Sequence, residues 1–196
     1  MIKMDKCPVS NWAVYGLSES VKASKYPMAT DTEKCNCEVT ETVKRLGSCA
    51  PGSGHDPFLH GIVVQFDLTF SKQAWAEAER YHFLDFVSRQ STMHRIARFD
   101  VEKQCNEYVT ENTIAEVKRL TEIYNADQTA ENYLRLLYNI PSGFQLTARM
   151  TTNYRQLKTI YFQRKNHRLP EWRRFCEWVE ELPMFKELII GCQTTK

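Results

Sequence analysis

Residues 62–70 alternate with a period of two: Ile62, Val64, Phe66, Leu68 and Phe70 fall on one side, Val63, Gln65, Asp67 and Thr69 on the other. That period belongs to a strand with one buried face. Phe144, Leu146, Ala148 and Met150 repeat it against Gln145, Thr147, Arg149 and Thr151. One-faced strands need partner strands beside them and a cover for the apolar side, and most of the remaining chain carries the 3.6-residue period that can supply the cover. The fold class expected is therefore α+β: a small, mainly antiparallel sheet packed with several helices.

The helical segments follow from caps and stripes. Ser71 caps a stretch expected to run from Lys72 to about Ser91, with Trp75, Ala78, Phe83 and Phe86 as its apolar stripe and Glu77, Glu79, Arg80 and Asp85 as its solvated face. Thr113-x-x-Glu116 reads as a capping box, and Asp127 as the cap of a helix through Leu137. Asn153 caps a helix to about Asn166, Pro170 opens another, and Pro183 ends that one ahead of a last short helix. Ser18 to Ala23 and Thr40 to Leu46 read as short helical turns, and Gly47 to Gly54 as a loop.

At 196 residues, with 42% hydrophobic and 12% aromatic content, the chain reads as one ordered domain spanning 1–196, in which residues 1–39 show little periodicity. No run approaches the length of a membrane span, and Met1 to Pro8 carry lysines with no apolar segment behind them, so a cytoplasmic protein without membrane partners is expected. Cysteines 7, 35, 37, 49, 105, 176 and 192 are odd in number and irregularly spaced. Cys35-Asn-Cys37 with Cys49 and His55 has zinc-ligand types, but its C-x-C spacing is not the C-x₂₋₄-C of structural zinc sites, so free thiols and no metal are expected.

A net charge of +2 gives no global reason to bind nucleic acid, and none is expected. The charge is local. Arg149 to Arg174 holds eight basic residues and one acid, Glu171, for a net of +7 that leaves the rest of the chain at −5. On a straight helix Arg164 lies about 20° from Asn153 and about 40° from Arg168, whereas Arg155 lies about 180° from Arg164. The face of Asn153, Leu157, Arg164 and Arg168 is a candidate for an anionic ligand, and Arg155 needs a different partner. Arginine suits planar, bidentate contact with phosphate or a base edge. His94-Arg95 with Arg98 is a second basic group, at a helix end.

Together these segments resemble the flavin-dependent thymidylate synthases, which methylate dUMP with methylenetetrahydrofolate as carbon donor and reduced FAD as hydride carrier. Pro57-Phe-Leu-His60 ahead of the strand resembles the family's Pro-Phe-Glu-His, and His94-Arg-Ile-Ala97 resembles the latter part of its Arg-His-Arg signature. Pro141, then Asn153-x-Arg155-x-Leu157 with Arg164, resembles its C-terminal ligand-binding helix, and Glu171-Trp172 echoes the Gln-Trp-Glu that follows. The likeness covers about residues 40–180. It implies an FAD-binding transferase of nucleotide biosynthesis, with His60, His94 and Arg95 at the flavin, Arg164 on the uracil of the nucleotide, and Asn153 and Arg155 organising that helix and its interface; the basic face adds Asn153 and Arg168 as substrate-side candidates. It also implies a folate partner and a homotetramer.

The departures concentrate on the nucleotide side. Where the family has its first arginine, first serine, asparagine, second serine, second arginine and tyrosine, this chain has Met93, Arg98, Asp100, Lys103, Cys105 and Asn106. A further phosphate-binding arginine falls on Leu137, with Arg135 nearby, and the stretch from Lys72 to Ser91 exceeds its counterpart. The resemblance thus implies a thymidylate-synthase-like enzyme with a changed or degraded site. The alternatives are a nucleotide hydroxymethylase-like relative and a non-enzymatic binding or assembly module.

Overall fold

The computed structural model describes residues 7–191. Met1 to Lys6 and the thiol of Cys192 lie outside the described residues. In chain order the elements are β1 (Val9–Tyr15), α1 (Leu17–Ala23), α2 (Glu41–Gly47), β2 (Val63–Ser71), α3 (Lys72–Ala78), β3 (Asp85–Arg89), α4 (Thr92–Arg95), α5 (Val101–Gln104), α6 (Glu111–Ala126), α7 (Ala130–Tyr138), β4 (Gln145–Asn153), α8 (Tyr154–Arg164) and α9 (Pro170–Glu181). The four strands form one antiparallel sheet in the order β1-β2-β4-β3, the α+β architecture that the two alternating segments require.

The register explains which face is buried. Phe66 sits opposite Met150, Leu68 opposite Ala148 and Phe70 opposite Leu146, all buried, so the apolar sides of β2 and β4 make one continuous surface. α9 covers it. Trp172, Phe175 and Trp178 lie about one turn apart along that helix, with Phe70 to Trp172 ring centroids at 4.9 Å and Phe66 to Trp178 at 4.8 Å. The opposite face keeps polar side chains matched across strands, Thr69 to Thr147 by a hydroxyl pair at 2.8 Å and Asp67 to Arg149 by an ion pair at 3.2 Å. The chain that crosses from α2 to the loop after it depends on Gly47. A Cβ there would stand 2.4 Å from the Leu188 carbonyl oxygen, so only glycine allows that approach.

Some sequence expectations fail here. The helix after Ser71 ends at Ala78 and does not reach Ser91. Trp75 and Ala78 are buried, but Phe83 and Phe86 are exposed and belong to a turn and to β3. Phe83 takes a left-handed φ of 73°, which turns the chain back to pair with β4. Thr110, not Thr113, caps α6, its hydroxyl accepting from Thr113 N; Thr129, not Asp127, caps α7. β1 has no signature in the sequence, because on this edge strand only Val9 is buried. The helix capped by Asn153 stops at Arg164, which leaves Arg168 beyond it.

Candidate functional site

His94, Arg95 and Arg98 stand on the short turns that follow β3. Ile96 and Val101 are buried and pin these turns to the core, so the basic side chains between them point outward. Tyr133 on α7 donates its hydroxyl to the Met93 carbonyl at 2.7 Å and packs on Tyr124 at 5.8 Å between centroids, which fixes the opposite wall. The result is a polar cleft of about 210 Å³ lined by residues 93–98 with Tyr124, Asn125, Gln128 and Tyr133. No carboxylate is among its lining residues. None of the three basic side chains has a carboxylate partner among the described residues. The chemistry offered is charge and donors for an anion about the size of a pyrophosphate.

The +7 segment is arranged differently. The Asn153 amide oxygen accepts from Gln156 N at 3.1 Å and serves as the cap of α8. Arg155 and Arg164 do face opposite ways. Arg155 Nε donates to Asp56 Oδ1 at 2.9 Å, and its Nη1 lies 2.6 Å from His60 Nε2, which must accept because guanidinium only donates. Lys158 is 1% exposed: its ammonium reaches Asp56 Oδ2 at 2.8 Å and the carbonyls of Gly47 and Cys49 at 2.7 and 2.6 Å. Three donors for three acceptors satisfy a buried charge.

Arg164 is held as firmly. Its Nη1 lies 2.6 Å from Glu77 Oε2 and its Nε donates to Tyr81 Oη at 2.6 Å, while the guanidinium sits 5.3 Å over the Tyr81 ring and 5.0 Å over that of Trp172. His167 Nε2 reaches the same carboxylate oxygen at 3.2 Å. Glu77, assigned to a solvated face by the helical pattern, is thus half-buried and closes this cage. Glu171 has another role, accepting from Ser71 Oγ at 2.7 Å. Arg168 is exposed and takes no part in the cage. Of the six residues singled out in the sequence, His94 and Arg95 share one cleft, His60 joins Arg155 outside it, and Asn153, Arg164 and Arg168 do not converge.

The positions that depart from the family signature are also accounted for. Lys103 pairs with Asp100 at 2.9 Å, Cys105 is fully buried, and Arg135 pairs with Glu131. Burial raises the thiol of Cys105 and pushes that of Cys176 up to about 12, so neither is a nucleophile at neutral pH. The other cysteines described are free thiols, and no group of three or more metal-ligating side chains occurs among the described residues. Sequence reasoning missed the buried Lys158. Its signal was position: it lies four residues after Tyr154 and three before Tyr161, inside the apolar stripe of α8. A larger cavity, about 860 Å³, lies between α1, α2 and residues 54–58. Its walls are mainly apolar but include Lys25, Lys34, Glu38 and His55; the Lys25 ammonium is held by the Asn36 side chain and Lys34 pairs with Asp31 at 3.4 Å.

No protein-family model and no curated protein matches the chain significantly. Solved structures do. The crystal structure of the flavin-dependent thymidylate synthase ThyX from Helicobacter pylori complexed with FAD and dUMP superposes with a TM-score of 0.69 over 94% of this chain and 97% of that one, at 15% identity. A second structure of the same enzyme with FAD and dUMP gives 0.70 over 95% and 98%, at 14% identity. No helix among the described residues is long and apolar enough to cross a membrane. The chain has the fold of the flavin-dependent thymidylate synthases.

Proposed function

We propose that the protein is a flavoprotein that holds FAD at the cleft of His94, Arg95 and Arg98, and that its nucleotide side has moved away from dUMP. The observation that carries this reading is a cleft with three basic side chains and no lining carboxylate, on a fold whose solved examples were obtained with FAD and dUMP. The fit is that of the charged part of the cofactor. A pyrophosphate matches the donors and the size of the cleft, whereas whole-ligand sites run to about 300–1,000 Å³. The remainder of a dinucleotide would extend over the surface or onto a second copy in a homo-oligomer. Arg95 and Arg98 would hold phosphate oxygens, with His94, Asn125 and Gln128 as neighbouring donors. His60 enters only as a ring oriented by Arg155. A reduced flavin supplies hydride; the chain supplies orientation and charge.

On the nucleotide side most candidate anchors for dUMP are engaged or buried: Lys103 by Asp100, Arg135 by Glu131, Arg164 by Glu77, Cys105 in the core; Arg168 is exposed and stands apart from them. A substrate without its phosphate anchor loses orientation, and misplacement by about 1 Å can cost about a hundredfold in rate. The reading is therefore a flavin-dependent transferase with a changed acceptor, a pyrimidine deoxynucleotide other than dUMP being the chemical class nearest to the fold's solved examples. The Arg164 to Glu77 pair favours one other reading, a non-enzymatic module. The test is an absorption spectrum of the purified protein and its melting temperature with FAD, dUMP, dCMP and folate. A yellow protein stabilised by FAD, by about 2.7 kcal/mol at a hundred times Kd, supports the flavoprotein. A colourless protein that no nucleotide stabilises supports the module.

A further inference from the structure

Met93 lines the basic cleft beside His94 and Arg95 and is 58% exposed. At this position the resemblance expects an arginine, so the cleft carries a thioether in place of a further cation. The Tyr133 hydroxyl, which donates to the Met93 carbonyl at 2.7 Å, also lies 3.6 Å from the Met93 sulfur. A thioether is a weak acceptor, so the hydroxyl serves the carbonyl first. The other described methionines are placed differently. Met150 is buried, Met184 packs against the core, and Met28, although 93% exposed, belongs to the mainly apolar cavity of α1 and α2. Among the described residues, Met93 is thus the methionine that combines an accessible sulfur with a place among anion-binding donors.

A sulfoxide at this position would change the cleft in two ways. It turns an apolar, weakly accepting side chain into a polar one with a strong acceptor oxygen. That oxygen stands within reach of the Tyr133 hydroxyl and beside Arg95 and Arg98, where it competes with a phosphate oxygen for the same donors. The cleft is also small, about 210 Å³, so the added atom takes room from the anion.

We propose that Met93 is an oxidation site that closes the basic cleft to anions, the oxidant being hydrogen peroxide. In this step the peroxide O–O bond breaks, one oxygen bonds to the sulfur through its lone pair, and the other leaves as water with both protons. The sulfur loses two electrons and the peroxide gains them. A methionine sulfoxide reductase restores the thioether. The proposal rests on the reading that the cleft holds a phosphate-bearing ligand.

The experiment is titration calorimetry with inorganic pyrophosphate on the full chain, stripped of bound ligand in high salt, before and after hydrogen peroxide and always after dithiothreitol. Dithiothreitol returns disulfides and sulfenic acids to thiols and leaves the sulfoxide, and peptide masses give the state of each methionine. The oxidised wild type should bind pyrophosphate at least about tenfold more weakly, the weight of one charge-assisted hydrogen bond, and sulfoxide reductase should restore the affinity. Met93→Leu keeps the volume and the apolar character, so it should bind as the untreated wild type does, with or without peroxide. Met28→Leu should respond to peroxide as the wild type does. Unchanged binding by protein whose Met93 is a sulfoxide, an equal loss in Met93→Leu, or a Met93 that stays reduced while Met28 is converted would each overturn the proposal and leave the reading of the cleft standing. An untreated wild type that does not bind pyrophosphate would overturn both.

Discussion

Two basic segments sit on the same fold in opposite circumstances. The segment from Arg149 to Arg174 concentrates charge, and α8 at its centre shares its positive charge with acids from far away in sequence: Asp56 meets Arg155 and Lys158, and Glu77 meets Arg164. The segment from His94 to Arg98 is weaker in count, yet its side chains line a cleft without a carboxylate. A run of arginines says how much positive charge must be matched; only the tertiary neighbours say whether a ligand or the protein itself matches it. Here the denser segment mainly holds the fold together, and the sparser one is open to an anion.

The comparison breaks most visibly at Asp56. Asp56→Ala would leave Lys158 buried with two carbonyls but no counter-charge, a change that costs about 3–5 kcal/mol and, for a chain of this size, lowers the melting temperature by roughly 2–4 °C per kcal/mol. Thermal unfolding followed by circular dichroism reads this directly. If the variant melts within a degree of the wild type, the buried pair is not what holds the loop after α2.

Arg164→Ala is next. It removes a charge-assisted hydrogen bond to Glu77 and the guanidinium between two rings, a loss of about 1.5–3 kcal/mol, and it should leave any dUMP-induced shift unchanged. Arg155→Ala should cost less, about 1 kcal/mol, because Lys158 still neutralises Asp56. A dUMP shift that vanishes in Arg164→Ala but persists in Arg155→Ala would show that nucleotide displaces Glu77, and would reverse the assignment of the two segments.

How much of this was legible depends on how far apart the deciding residues lie. β2, β4 and the Asn153 cap were read from patterns a few residues long, and the structure repeats them. The opposed faces of Arg155 and Arg164 also follow from helix geometry alone. Their partners do not: Glu77 and Asp56 stand 87 and 99 residues before them, and no local pattern marks an acid as the one that will close a cage. The helix expected from Lys72 to Ser91 failed for a related reason. Trp75 and Ala78 begin a real apolar stripe, and Phe83 and Phe86 continue its spacing by coincidence, since a left-handed residue at 83 has already turned the chain. Lys158 was not singled out, because lysine rarely enters a core, although its place in the stripe of α8 pointed inward.

The smallest expected effect on stability sharpens the comparison most. Arg95→Ala combined with Arg98→Ala removes two exposed guanidiniums that bind no carboxylate among the described residues, so the stability without ligand should stay within about 0.5 kcal/mol of wild type. What the double variant should lose is the stabilisation by FAD, since two of the three basic side chains of the cleft are gone. Raising the salt concentration should weaken FAD binding to the wild type and matter little to the variant, because exposed charges are screened within about 10 Å at 0.1 M. A double variant that still binds FAD with wild-type affinity would mean that the open segment is merely a solvated turn. The cofactor would then have to be sought on the side of His60, where Arg155 already orients the ring.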